Sequence, residues 1–135
     1  MEELKKKFIV EERLEERILS KYVERILPFC KISRDGGIII ENSRIITLEK
    51  IKLSLAARFL ANYLENNIPA EISIAEISSS LSIPKDQVAA RLKELKDTKF
   101  ALSVSKGVYR VNPLQIGRFL NEMEGKYSAQ RNEPE

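Results

Sequence analysis

A chain of 135 residues with 23 basic and 20 acidic side chains, a net charge of +3 and a pI near 9.0 is long enough for one domain with a real core, and its near-balanced charge permits a polyanionic partner without requiring one. The absence of histidine and the single cysteine, Cys30, exclude a Ser–His or Cys–His catalytic pair, a histidine or thiolate-rich metal site and an internal disulfide. No phosphate-binding glycine loop occurs, no apolar run approaches a membrane span and the charged start is no signal peptide, so the expectation is a cytoplasmic protein that is not an enzyme and needs no cofactor or metal.

Residues 2–27 read as one helix. Leu14, Ile18, Tyr22 and Ile26 recur every four residues with Leu19, Val23 and Leu27 beside them, while Glu11, Glu12, Arg13, Glu15, Glu16 and Arg17 form a solvated face. Pro28 stops the helix. In the following "CKISRDGGIIIENSRII", Asp35-Gly36 predicts a two-residue type I′ turn that pairs residues 30–33 with 38–41. Cys30 reads as a small apolar residue at the edge of the core. Thr47 is the expected cap of a long helix over 48–66, ended by Asn66-Asn67 in a left-handed cap. This helix has two apolar stripes, Ile51, Leu55, Phe59 and Leu53, Ala56, Leu60, Leu64, with Arg58 the only charge between Leu53 and Leu64. It must be covered on both sides, which argues for one integrated domain, and Arg58 reads as a satisfied charge at a packing seam.

The stretch "ISIAEISSSLSIPKDQVAARLKEL", residues 72–95, reads as two short helices on a tight turn at Ser82-Ile83-Pro84. Ser73 and Glu76 fit a capping box that starts the first helix at Ile74, with Ile77 and Leu81 turned inward. Pro84 suits the first position of the second helix, over 84–97, which buries Val88, Leu92 and Leu95. Strict alternation in "FALSVSKGVYRVN" then predicts a two-stranded ribbon over 100–111 that turns at Lys106-Gly107. Val104 is expected opposite Tyr109 and Leu102 opposite Val111 on an apolar face, with Ser103 opposite Arg110 on a polar one. Asn112-Pro113 opens a last helix with Ile116, Phe119, Leu120 and Met123 as its buried stripe. Gly125 ends it, and residues 125–135 are read as a disordered tail.

From residue 48 onward, helix, short strand, helix, tight turn, helix, ribbon and helix follow one another, and over residues 48–124 the chain resembles the winged helix-turn-helix family. The resemblance rests on "IAEISSSLSIPKDQVAARLKEL" with "FALSVSKGVYRV", whose apolar skeleton is Ile77, Leu81, Ile83, Val88, Leu92 and Leu95. The expected fold is thus α+β, mainly helical: a winged helix-turn-helix with an N-terminal long helix and β-hairpin, residues 1–47, packed onto it. The family is frequent among archaeal and bacterial transcription regulators, which implies double-stranded DNA as partner, read by the second helix and the wing. Carried onto this chain, the implied DNA-binding residues are Lys85 and Lys93 on phosphates, Gln87 on an adenine edge, and Lys106 and Arg110 on backbone or minor groove. The chain departs from the family where glycines are common: Ser82 stands in the turn, and Asp97-Thr98-Lys99 between helix and wing.

Bland readings stand beside these. Lysines on an exposed helix mostly solvate it, and the run Ser78-Ser79-Ser80 reads either as phosphate donors or as the exposed face of a short helix. Asp86, Glu94 and Asp97 disfavour phosphate, which keeps open a second class of function, a winged-helix module that binds a protein partner in a nucleic-acid-handling assembly. The N-terminal stripe either packs wholly on residues 48–66 or joins two copies, and its length favours a homodimer through residues 4–27.

Overall fold

The computed structural model describes residues 1–9 and 15–131. They form a small mixed α/β, mainly helical domain. In chain order it contains α1 (Glu2–Phe8), α2 (Glu16–Ile26), β1 (Lys31–Ile32), β2 (Ile38–Ile39), α3 (Thr47–Leu64), β3 (Ile72–Ser73), α4 (Ile74–Leu81), α5 (Lys85–Asp97), β4 (Ala101–Ser105), β5 (Val108–Val111), a 3₁₀ turn (Pro113–Gln115) and α6 (Ile116–Arg131). β1 and β2 make a small hairpin, and β3, β5 and β4 make an antiparallel sheet in that order.

The central element is α3, in which every residue from Leu53 to Ala57 is buried, as are Arg58 and Leu60. It packs on α2 and β1, and also on α4, α5 and β5, so its two apolar stripes are covered on two sides, as the sequence requires. α6 closes the bundle against α2. Arg25 donates to both carboxylate oxygens of Glu124, at 3.0 and 2.7 Å, and to Asn121 Oδ1 at 2.6 Å. The approach is close because residue 117 is glycine: a Cβ there would stand 2.6 Å from the Tyr22 hydroxyl.

The N-terminal residues depart from a single helix. α1 ends at Phe8 and Ile9 is extended, while Glu15 is again extended before α2 begins. Leu14 of the expected stripe, with Glu11, Glu12 and Arg13, lies outside the described residues. Within α2, Leu19 and Ile26 are buried inside this one chain and Tyr22 and Val23 pack against the same core.

The β1–β2 turn is one residue longer than expected. Lys31 pairs with Ile39 and Ile32 with Ile38, which leaves residues 34–36 as the loop. Gly36 alone is left-handed, at φ +92°, and its N–H donates to the Ser33 carbonyl at 2.9 Å. This is the three-residue hairpin with a glycine bulge rather than a type I′ turn. The Ser33 hydroxyl takes the Gly37 N–H at 2.9 Å and itself bonds Asp35, which stabilises the longer loop.

α3 starts at the expected cap, one residue earlier than the sequence predicts. Thr47 is its first helical residue, because the Glu49 carboxylate reaches back to the Ile46 N–H and makes Ile46 the boundary. The helix ends at Leu64, and neither Asn66 nor Asn67 is left-handed. The Asn62 side chain binds the Ile68 carbonyl at 2.8 Å and turns the chain earlier.

The last helix overruns its expected end. α6 passes through Gly125 to Arg131, because Tyr127 is buried, its ring edge-on to Phe29, and its hydroxyl donates to Glu49. Lys126 pairs with the other oxygen of Glu49 at 3.0 Å. Residues 126–131 are therefore not a tail, and residues 132–135 lie outside the described residues.

Candidate nucleic-acid interface

The helical pair begins with a complete capping box. Ser73 Oγ accepts from the Glu76 N–H at 3.0 Å, and Glu76 Oε1 accepts from the Ser73 N–H at 3.2 Å. α4 buries Ile77 and ends at Ser82, which adopts the left-handed conformation at φ +55°. The turn is held by the Ile83 N–H on the Ser78 carbonyl at 3.2 Å and by the Ser78 hydroxyl on the Ile83 carbonyl at 2.6 Å. Ser80 faces inward as well, its hydroxyl accepting from the Ile38 N–H at 3.2 Å. Two members of the serine run thus serve the fold, and Ser79 is the exposed one.

Pro84 sits one residue before α5 rather than inside it, and its carbonyl takes the Gln87 and Val88 N–H groups at 3.1 Å. α5 buries Val88, Leu92 and Leu95. Lys85, Asp86, Gln87, Ala90, Lys93, Glu94, Lys96 and Asp97 are exposed, whereas Ala89 is half-buried. Helical spacing of 100° per residue places Asp86, Ala90, Lys93 and Asp97 opposite the buried stripe, with Gln87 and Glu94 on one flank and Lys85 and Lys96 on the other. Glu94 is occupied by an ion pair with Arg91 at 3.2 Å.

The helix hands over to the ribbon through a left-handed cap with no glycine. Lys99 stands at φ +68°. Its N–H bonds the Lys96 carbonyl at 3.1 Å, and the Phe100 N–H bonds the Leu95 carbonyl at 2.9 Å, which together form a Schellman motif. Asn112 Nδ2 holds the Lys99 carbonyl at 3.0 Å. Phe100 then anchors the ribbon base, edge-on to Phe119 with Lys52 lying over both rings.

The ribbon turns at Lys106-Gly107 and pairs Ser105 with Val108 at its tip, as expected, but a bulge between Ser103 and Ser105 shifts the rest by one residue. Leu102 lies opposite Arg110 and Ser103 opposite Tyr109; the buried pair is Ala101 with Val111, and Val104 is exposed. Alternation alone cannot register a bulge, since one extra residue exchanges the two faces. The tip is tied down: the Ile74 N–H donates to the Gly107 carbonyl at 2.9 Å, and β3 pairs along β5.

Of the sequence-derived site residues, Lys85, Gln87 and Lys93 share the exposed surface of α5, and Lys106 is exposed at the ribbon tip. Arg110 is half-buried in β5. Lys99, which the sequence reading left out of the site, is exposed at the junction of helix and ribbon; its signal was the position that the family pattern fills with glycine. From Thr98 to Val111 the chain carries Lys99, Lys106 and Arg110 and no acid. Acids lie alongside. Asp35, Glu71 and Glu76 line a depression with Val104, Ser105 and Val108 of the ribbon. Arg118 pairs with Glu122 and shares a mixed-charge depression with Lys52 and Glu94.

Beneath the ribbon lies Arg58, 2% exposed. Its guanidinium donates to the carbonyls of Pro69 and Glu71 at 2.8 Å, to the Gly36 carbonyl at 3.1 Å and to Glu76 Oε2 at 2.8 Å. One side chain thus joins the hairpin, the loop before β3 and the start of α4. Burial works to raise the Glu76 carboxyl, but the bonds from Arg58 and from the Ser73 N–H outweigh it and hold Glu76 below the ordinary glutamate range. Cys30 is buried, and desolvation pushes its thiol up to about 12, in keeping with an apolar filler rather than a reactive group.

Among the described residues no cluster of three or more His, Cys, Asp or Glu side chains is placed to hold a metal, and no helix is long and apolar enough to cross a membrane. Compared with family models, with curated proteins and with solved structures, the chain matches none. Its class is therefore the architectural one: a small mixed α/β domain, mainly helical, built around a buried arginine.

Proposed function

We propose that the chain is a winged helix-turn-helix domain that binds double-stranded DNA, with α5 in the major groove and the β4–β5 ribbon as the wing, and that it serves as a transcription regulator. The observation that carries this reading is the order α4, left-handed turn, α5, ribbon, with β3 added to the ribbon's β5 edge; the acid-free stretch with Lys99, Lys106 and Arg110 and the exposed Lys85 and Lys93 of α5 supply the cations. The lysines and Arg110 neutralise phosphates, and Gln87 reads an adenine edge. The test is duplex binding at several salt concentrations. With about four phosphate contacts per chain, log affinity should fall against log salt with a slope of about −4. Lys106→Ala should flatten that slope by about one unit on any sequence, whereas Gln87→Ala weakens a preferred site and leaves non-specific binding intact.

A second reading is favoured by the acids. Asp86 and Asp97 flank Lys93 at the centre of the outward face, and Asp35, Glu71 and Glu76 border the ribbon. On that reading the same shape docks a basic protein surface, and duplex binding is absent even in low salt.

A further inference from the structure

α1 is the only helix among the described residues that buries none of its side chains. Leu4 and Phe8, four residues apart and so on one face, are 63% and 90% exposed, and Ile9 follows them into solvent. Lys5, Lys6 and Lys7 lie between. The same chain carries an open apolar groove between α2 and the end of α3. It consists of two depressions of about 370 and 510 Å³ that share Val23 and Leu64, and it is floored by Leu19 and Leu60, with Leu27 and Tyr63 at its edges. Leu64, at 71% exposure, is among the most exposed large apolar side chains of the folded body. Three acids, Glu16, Glu24 and Glu65, border the groove against one base, Lys31.

We propose that α1 of a second copy docks in this groove, Leu4 and Phe8 against Val23 and Leu64, with Lys5 and Lys7, which flank that face, toward Glu16, Glu24 and Glu65. The charge pattern selects the occupant: the groove is acid-rimmed and apolar, and α1 carries Glu2 and Glu3 in its first turn but sets its apolar face among three lysines in its last. Exchange is reciprocal, so one dimer buries two helices and two grooves through a closed two-fold arrangement. This redistributes roles within the expected contact of residues 4–27: most of the α2 stripe serves its own core, α1 is the element that joins, and Val23 receives it. The inference is independent of DNA.

The experiment uses the full chain without nucleic acid. Light scattering should find a dimer at tens of micromolar, and Phe8→Asp should weaken it by about tenfold or more, since burying one such side chain is worth at least that factor. The circular dichroism spectrum should not change, because α1 contributes nothing to the core. In a Cys30→Ala background, Phe8→Cys and Leu64→Cys chains are then mixed and oxidised; the account expects a disulfide between the two different chains, identified by peptide mass. A monomer at those concentrations, a dimer indifferent to Phe8→Asp, or a Phe8→Cys/Leu64→Cys chain that closes on itself as a monomer would each overturn the proposal.

Discussion

The junction around Arg58 and the outward face of α5 are built from the same kinds of residues and obey opposite rules. At the junction a cation is withdrawn from water and every hydrogen bond is directed: three backbone carbonyls and one carboxylate surround a single guanidinium. A planar fork with several donors suits that task and an ammonium does not. On α5, four basic and three acidic side chains point mostly into solvent, and the one ion pair there, Arg91 with Glu94, is of the weak exposed kind. Charge in the first region specifies how elements meet. Charge in the second stays in solvent.

Breaking the first region should have the largest effect. Arg58→Met leaves the buried Gly36 carbonyl and the part-buried carbonyls of Pro69 and Glu71 without that donor and should cost about 3–4 kcal/mol in denaturant unfolding. Arg58→Lys should recover only part of that loss. Next comes Tyr127→Ala, which removes a buried ring and its bond to Glu49. It should cost about 3 kcal/mol, whereas a disordered tail would cost nothing.

The fold was legible from the sequence at two places where local chemistry acts alone. Ser73 and Glu76 announce the start of α4, and the spacing of Val88, Leu92 and Leu95 announces the buried face of α5. Much of what stayed hidden depends on partners distant in the chain, although the loop after β1 and the start of α3 turn on local bonds, Ser33 with Gly37 and Glu49 with Ile46, that prevailed over the readings from Asp35-Gly36 and Thr47. Arg58 could be read as a satisfied charge, but its acceptors lie at Gly36, Pro69, Glu71 and Glu76. Gly125 ended α6 on paper because the reason to continue, Glu49 waiting for Tyr127, is 78 residues away. The ribbon register failed at a bulge that alternation cannot display. Of the candidate site, the exposed places of Lys85, Gln87, Lys93 and Lys106 follow from periodicity; the half-burial of Arg110 and the acids bordering the ribbon do not.

Acid sharpens the comparison at intermediate magnitude. Glu49 and Glu76 are both depressed in the folded chain: burial opposes this, and the bonds from Tyr127 and Lys126 in one case and Arg58 in the other prevail. A depressed carboxyl contributes stability that is present above its unfolded value and is lost as pH falls through the folded one. Stability should therefore decline as pH drops below the ordinary glutamate value of 4.5, and the decline should be shallower in Arg58→Met, measured by urea midpoint against pH.

The smallest effects should be gains. Among the described residues Ser82 and Lys99 are the non-glycine residues that stand left-handed, where a side chain costs about 1–2 kcal/mol. Part of that is returned by the freedom glycine has when unfolded, so Ser82→Gly and Lys99→Gly should each stabilise the chain by about 0.5–1 kcal/mol. The two part company on duplex: Lys99→Gly also removes a cation from the junction of helix and wing and should flatten the salt slope, while Ser82→Gly should leave it unchanged.

The central claim, that the exposed cations of α5 and the ribbon are there for phosphate, is tested most directly by fluorescence anisotropy of the unmodified chain with a labelled duplex, titrated at salt concentrations upward from about 50 mM. The account predicts binding that weakens with salt at a slope of about −4 per chain and about double that for a dimer on two half-sites. No binding at the lowest salt would contradict it and would assign the same surface to a protein partner.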